Sequence, residues 1–188
     1  MYGMRKMCPS SLHLSPALES AFLKPQPKAV LPWSLYQPGL PLGALTQVEG
    51  RGKSSAFLKL CTEHPKLRAA WVEASLSAYP PAFAQAGVDL NLLLFVQGGE
   101  HYAWAVTQLL RAQLFPLLAL ASPIQGDLEL RRLQLAAEKS GTAVLLLSEI
   151  QGPSWPIKLK LEASLEGESG SLSLRQRLEH FEILKEAL

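Results

Sequence analysis

Leu92-Leu93-Leu94-Phe95-Val96 and, further on, Ala143-Val144-Leu145-Leu146-Leu147 are runs in which every side chain is apolar. A strand sends successive side chains to opposite faces, so a run without a polar residue is buried on both faces. That is the condition of a parallel sheet covered by helices, not of a half-solvated antiparallel one. Between the two runs lie a helix-patterned segment from about Glu100 to Ala112, an apolar strand from Phe115 to Ala121 and a second helix from about Leu128 to Ser140. In this last helix Leu130, Leu133 and Ala137 share the inward face, which leaves Arg131 and Arg132 outward. Toward the N-terminus Ala44 to Val48 reads as a strand, Ser54 to Glu63 as a helix, Ala69 to Ala74 as a strand and Pro80 to Ala86 as a short helix. Alternating strands and helices predict an α/β fold, a mainly parallel sheet flanked by helices.

The pattern changes at the end of the chain. From Ile157 to Leu165 the residues alternate, with Ile157, Leu159, Leu161, Ala163 and Leu165 on one face and Lys158, Lys160 and Glu162 on the other. Glu166-Gly167-Glu168-Ser169-Gly170 is a turn, and Leu172, Leu174 and Leu178 continue a return strand, so a C-terminal β-hairpin is expected to extend the sheet. At the other end, Ser15-Pro16 has the form of a helix start, and Lys24-Pro25-Gln26-Pro27-Lys28 that of a stiff linker. The chain therefore divides into an N-terminal arm and linker over 1–31, a core domain over 32–178 and a tail over 179–188.

Composition narrows the function classes. With 188 residues, 48% of them hydrophobic and 18% charged, the chain is long enough for one domain with a sizeable core and too apolar for disorder. A net charge of +2 is too balanced for binding nucleic acid through bulk electrostatics. Cys8 and Cys61 form no framework, and His13, His64, His101 and His180 are scattered, so no metal site is expected. Arg5 and Lys6 lead into Cys8-Pro9-Ser10-Ser11 and not into an apolar run, and Pro116 and Pro123 cut the longest uncharged stretch. No signal peptide, no membrane span and a cytoplasmic location are the expectations.

One segment has the look of a phosphate site. Gly50-Arg51-Gly52-Lys53-Ser54 follows a strand and opens a helix, which is the setting of a phosphate-binding loop, and it ends in the right Gly-Lys-Ser. The functional loop keeps four residues between its first glycine and the Gly-Lys pair, so that successive N–H groups wrap a phosphate. Here only Arg51 stands between Gly50 and Gly52. A tight glycine turn joining strand to helix accounts for the segment, and at most a weak anion site at the helix start remains beside it.

A longer, ordered resemblance surrounds this turn. Pro38-Gly39-Leu40-Pro41-Leu42-Gly43, the Gly-Lys-Ser turn, Ala70-Trp71-Val72-Glu73-Ala74, Ala86-Gly87-Val88-Asp89-Leu90 before Leu92-Leu93-Leu94, and Gly98-Gly99-Glu100 opening a helix follow one another as in the RecA recombinase core, over roughly residues 38–165. Leu130-Arg131-Arg132-Leu133-Gln134-Leu135-Ala136-Ala137-Glu138, then Ser140-Gly141-Thr142-Ala143, resembles the ImuA family, small RecA-like accessory proteins of error-prone translesion synthesis. The resemblance implies a RecA-like fold and a role in the damage-induced (SOS) response. It implies as partners RecA, an ImuB-type polymerase-like protein and a replicative-type DNA polymerase. SulA, a RecA-like inhibitor of cell division that binds FtsZ, is a less close relative.

Departures from RecA bear on chemistry. In the resemblance the catalytic glutamate falls at Ser75 and the Mg²⁺-linked aspartate at Ala121, so both carboxylates are missing. Phosphoryl transfer depends on the loop, the metal and a water-orienting carboxylate, and with all three degraded no hydrolysis and no cofactor are expected. Glu73 is the nearest substitute, on the same strand face as Ser75 but about 7 Å back. The segments Ser122 to Asp127 and Ile150 to Pro156 are ordinary short connections and not long DNA-gripping loops, which leaves Lys158, Lys160, Arg175 and Arg177 on the hairpin as the remaining basic feature. Weak or no direct DNA binding is the expectation. The competing readings are a nucleotide-binding RecA-like ATPase, which would need the short turn to hold Mg-nucleotide, and a SulA-like division inhibitor.

What then remains is surface. Trp71, Trp104, Phe57 and Phe95 fall in periodic segments and are expected in the core. Trp33 and Tyr36, between prolines, are candidates for an exposed contact, and Arg131 and Arg132 for a partner-binding helix face. Leu14, Leu18 and Phe22 of the arm and Phe181, Leu184 and Leu188 of the tail have helical spacing and complete the candidate partner-binding set.

Overall fold

The computed structural model describes residues 29–75, 77–124, 126–148, 156–166 and 171–177. Leu14, Leu18 and Phe22, the tail with Phe181, Leu184 and Leu188, the turn at 167–170 and nearly all of the 150–156 connection lie outside the described residues. The strands are β1 (Val30–Leu31), β2 (Leu40–Pro41), β3 (Ala44–Glu49), β4 (Ala69–Glu73), β5 (Leu93–Gln97), β6 (Leu117–Leu120), β7 (Ala143–Leu146), β8 (Leu159–Glu166) and β9 (Ser171–Gln176). The helices are α1 (Lys53–Glu63), α2 (Pro80–Gln85), α3 (Tyr102–Ala112, entered through a 3-10 turn at Gly99–His101) and α4 (Asp127–Ser140).

Seven strands form one sheet in the order β5-β4-β6-β7-β3-β8-β9, parallel throughout except for the antiparallel β8–β9 hairpin. This is the α/β architecture read from the sequence, a mostly parallel sheet flanked by helices, and its strand order is consistent with a RecA-like core. β3 lies inside the sheet between β7 and β8, with Ala44 opposite Ala143 and Thr46 opposite Leu159. Its residues from Ala44 to Val48 are buried, as a strand with a neighbour on each side and a helix layer on each face requires.

Strand parity builds two cores. Trp71, Leu117, Ala119 and Leu145 pack with Phe57 and Leu60 of α1, whereas Val72, Leu118, Leu120, Val144 and Leu146 pack with Val106 and Leu110 of α3 and Leu130 and Leu133 of α4. In the first core the rings of Phe57, Trp71, Phe83 and Phe95 follow one another edge to face, with successive centroids 5.3, 5.3 and 5.0 Å apart. Leu159, Leu161 and Ala163 of β8 join the same core, so the hairpin is anchored beside α1.

The expectations for two tryptophans are corrected. Trp33 is 1% exposed and belongs to the first core, not to a free contact surface. The segment around it is tied down, because Val30 pairs with Pro41, Leu31 pairs with Leu40, and the Ser34 backbone N–H and hydroxyl both donate to the Glu63 carboxylate. Val30 and Leu31, the described end of the 1–31 segment, form β1, and Leu31 packs against the first core. Tyr36 is half-buried, its hydroxyl donating to Gln176 Oε1 at 3.2 Å. Trp104 is the reverse case: at 64% exposure it lies outside the core. The inward stripe of α3 is Tyr102, Val106 and Leu110, and a residue two places after Tyr102 is rotated about 200° from it.

Candidate functional site

The site to weigh is the turn between β3 and α1. Gly50 has φ +89°, a conformation that favours glycine, and a Cβ there would stand 2.3 Å from the Ala163 carbonyl oxygen. Two residues on, Gly52 is buried and donates its backbone N–H to that same carbonyl at 3.1 Å. A Cβ on Gly52 would come within 2.7 Å of the Leu172 side chain. The glycines that would give a phosphate loop its open cradle instead let the turn press against the hairpin. Gly52, which precedes the first residue of α1, therefore points its N–H at β8. Lys53 is partly buried, Arg51 and Ser54 are exposed, and α1 has no side-chain N-cap and no acidic residue in its first turn.

Ser75 is exposed and Ala121 partly buried at the same edge of the sheet, and neither supplies a carboxylate. Glu73, the last residue of β4, is 2% exposed. Its Oε1 accepts from the Ser77 and Ala78 backbone N–H groups at 3.0 and 3.1 Å, and its Oε2 from the Ser77 hydroxyl at 2.6 Å. Burial pushes this carboxyl up, but the hydrogen bonds from Ser77 and Ala78 outweigh it and hold the group below the ordinary carboxylate range. Glu73 fastens the segment after β4. The segment after β6 is fastened too, because Ser122 Oγ accepts from the Ala74 N–H at 2.8 Å and its carbonyl accepts from the Tyr102 hydroxyl at 2.9 Å. Burial, opposed by the bond to Ser122 and reinforced by the Glu73 charge, keeps the Tyr102 phenol protonated well above its usual range.

Polar groups that sequence reading passed over lie on the other side of β3. Gln47, fully buried, donates from Nε2 to Glu49 Oε1 at 2.6 Å and to the Ser148 carbonyl at 3.3 Å. Glu49 Oε2 accepts from Arg177 Nη1 at 2.8 Å, which joins β9 to β3 across β8. Lys158 reaches Glu138 of α4 at 3.2 Å, so two cations of the hairpin are ion-paired. The i, i+2 spacing of Gln47 and Glu49 on a strand was the available signal for that cluster, since it places both on one face. Among the described residues no group of three or more His, Cys, Asp or Glu side chains could hold a metal ion, and no helix is long and apolar enough to cross a membrane.

Arg131 and Arg132 are exposed on α4, the latter paired with Glu129 at 2.5 Å. They lie on the opposite side of the sheet from Trp33, Tyr36 and α1, so the described candidate contact residues do not converge on one patch. No protein-family model matches the chain, and no curated protein sequence matches it. What the geometry defines is an α/β core, consistent with a RecA-like fold, whose glycine turn between β3 and α1 is packed against its own hairpin.

Proposed function

We propose that this chain is a non-catalytic RecA-like protein that works by binding other proteins. The observation that carries this reading is the bond from the Gly52 N–H to the Ala163 carbonyl, with Leu172 packed over the same glycine. A phosphate would have to displace a strand of the sheet to reach that donor. The replacement of both carboxylates by Ser75 and Ala121, and the commitment of Glu73 to Ser77 and Ala78, support it further. The resemblance to the ImuA family supplies the biological setting: a cytoplasmic accessory factor of damage-induced mutagenic translesion synthesis, with RecA and an ImuB-type polymerase-like protein as partners.

Calorimetry tests the chemistry. Mg-ATP is expected to bind no more tightly than about 1 mM, roughly 4 kcal/mol, without hydrolysis. A micromolar dissociation constant that vanishes in Lys53→Ala would overturn the reading. Pull-down of the intact chain with purified RecA and the ImuB-type protein tests the setting. Loss of RecA binding on deleting residues 1–24, and of the second partner on deleting 179–188, is the expected result; no complex with the intact chain would refute it.

A further inference from the structure

Of the nine large apolar side chains exposed among the described residues, Trp104, Leu114, Leu128 and Leu135 lie in α3, in α4 or directly after α3. Exposure is 64% for Trp104 and 58% for Leu135. Between the two helices runs an open groove of about 740 Å³ whose lining includes Trp104, Thr107, Arg111, Leu135, Ala136 and Lys139. Two of the exposed side chains, Trp104 and Leu135, line this one groove, and exposed apolar surface gathered in a groove marks interaction sites more often than single scattered residues do. Two helices with a furrow between them offer a third helix a bed for its apolar stripe.

The groove also has an electrical direction. α3 and α4 both return between parallel strands, so they run the same way, and the Gln113 side chain bonding the Lys139 carbonyl at 3.4 Å places their C-terminal ends together. Arg111 and Lys139 stand in those last turns, and neither has an ion-pair partner among the described residues. Toward the other end, the acid of the lining, Glu129, is consumed by Arg132. An occupant that meets this surface needs an apolar stripe and negative charge beside it at one end.

We propose that the α3–α4 groove receives an amphipathic helix of a partner protein, with acidic residues flanking its apolar stripe and directed at Arg111 and Lys139. This rests on the reading of the chain as a protein-binding factor and names the surface and the chemistry of one partner. Single-stranded nucleic acid fits less well. It stacks successive bases on several aromatic platforms along a cationic track, whereas this groove exposes one aromatic ring and carries its unpaired cations at one end.

The test uses the intact chain and two labelled synthetic helices of about 18 residues, with the same leucine spacing, flanked by Glu in one and by Lys in the other. Anisotropy titrations at low salt are expected to give the Glu-flanked helix about tenfold tighter binding. The double variant Arg111→Glu, Lys139→Glu is expected to invert that order, and Trp104→Ala to weaken the Glu-flanked helix about tenfold with an unchanged circular dichroism spectrum. Equal binding of both helices, binding of neither, or competition by an oligothymidine as effective as by unlabelled Glu-flanked helix would overturn the proposal. So would sedimentation showing a dimer that Trp104→Ala dissolves, or a marked gain in peptide affinity on deleting 179–188, since a second copy or the chain's own tail would then be the occupant. If purified RecA and the ImuB-type protein bind Trp104→Ala as they bind the wild type, the groove fails while the protein-binding reading stands. If they bind no form of the chain, that reading fails on its own.

Discussion

A single buried carboxylate shows how much a side chain's role depends on its neighbours. Glu73 ends a strand and could have served as a catalytic base, yet three donors from Ser77 and Ala78 claim its oxygens. Because its folded pKa is lowered, the stabilisation is present above the ordinary carboxylate pKa and is lost as pH falls through the lowered one. Glu73→Gln should therefore cost about 1–3 kcal/mol at pH 7 in urea unfolding, and the gap between the two proteins should shrink steadily as pH falls below the ordinary carboxylate pKa. Cys61 makes the complementary case. Burial pushes its thiol up to about 12, so it should resist a thiol reagent at pH 8 in the native protein and react once the chain is unfolded in denaturant, as peptide mapping would show. The presence of Glu73 in a strand and of Cys61 on a helix was legible in the sequence. Their partners were not, since Ser77 reaches Glu73 only through the path taken by the loop.

Elements were legible where periodicity is long and lost where it is short. The six parallel strands and α1, α3 and α4 lie within a few residues of where the hydrophobic pattern puts them, because each carries a full face of apolar side chains. β1 and β2 have two residues each, too few for any period, and without them Trp33 read as exposed when it is a core residue. Trp104 was misplaced for a different reason: periodicity identifies a helix more easily than it assigns each residue to a face. The turn between β3 and α1 was legible as a tight glycine turn joining strand to helix, but its contact with β8 was not, since Gly50 and Ala163 lie far apart in sequence. That contact is testable. Gly50→Ala must both adopt a positive φ and drive its methyl into the Ala163 carbonyl, so a loss of at least about 1–3 kcal/mol is expected, with faster hydrogen exchange in β8 and β9 than elsewhere in the sheet. Wild-type stability and exchange in this variant would mean that turn and hairpin are not packed together.

At the level of the whole molecule, the question is whether an α/β core with this surface can hold a DNA strand. The net charge of +2 supplies little attraction at a distance. The basic face of the hairpin supplies little locally, because Lys158 and Arg177 are spent on Glu138 and Glu49 and Arg175 is set opposite Glu162. Pairing Lys158 or Arg177 with a phosphate would mean breaking a protein ion pair first. Each phosphate contact steepens the fall of affinity with salt, and a surface that makes only a few contacts starts from a low affinity. Single-stranded DNA should therefore bind weakly at about 150 mM salt, and whatever binding appears at low salt should collapse as salt rises. Filter binding or anisotropy across a salt series measures this directly. Tight binding that survives physiological salt would show that the hairpin's ion pairs open to a nucleic acid, and would move the hairpin face from a solvated surface to an interface.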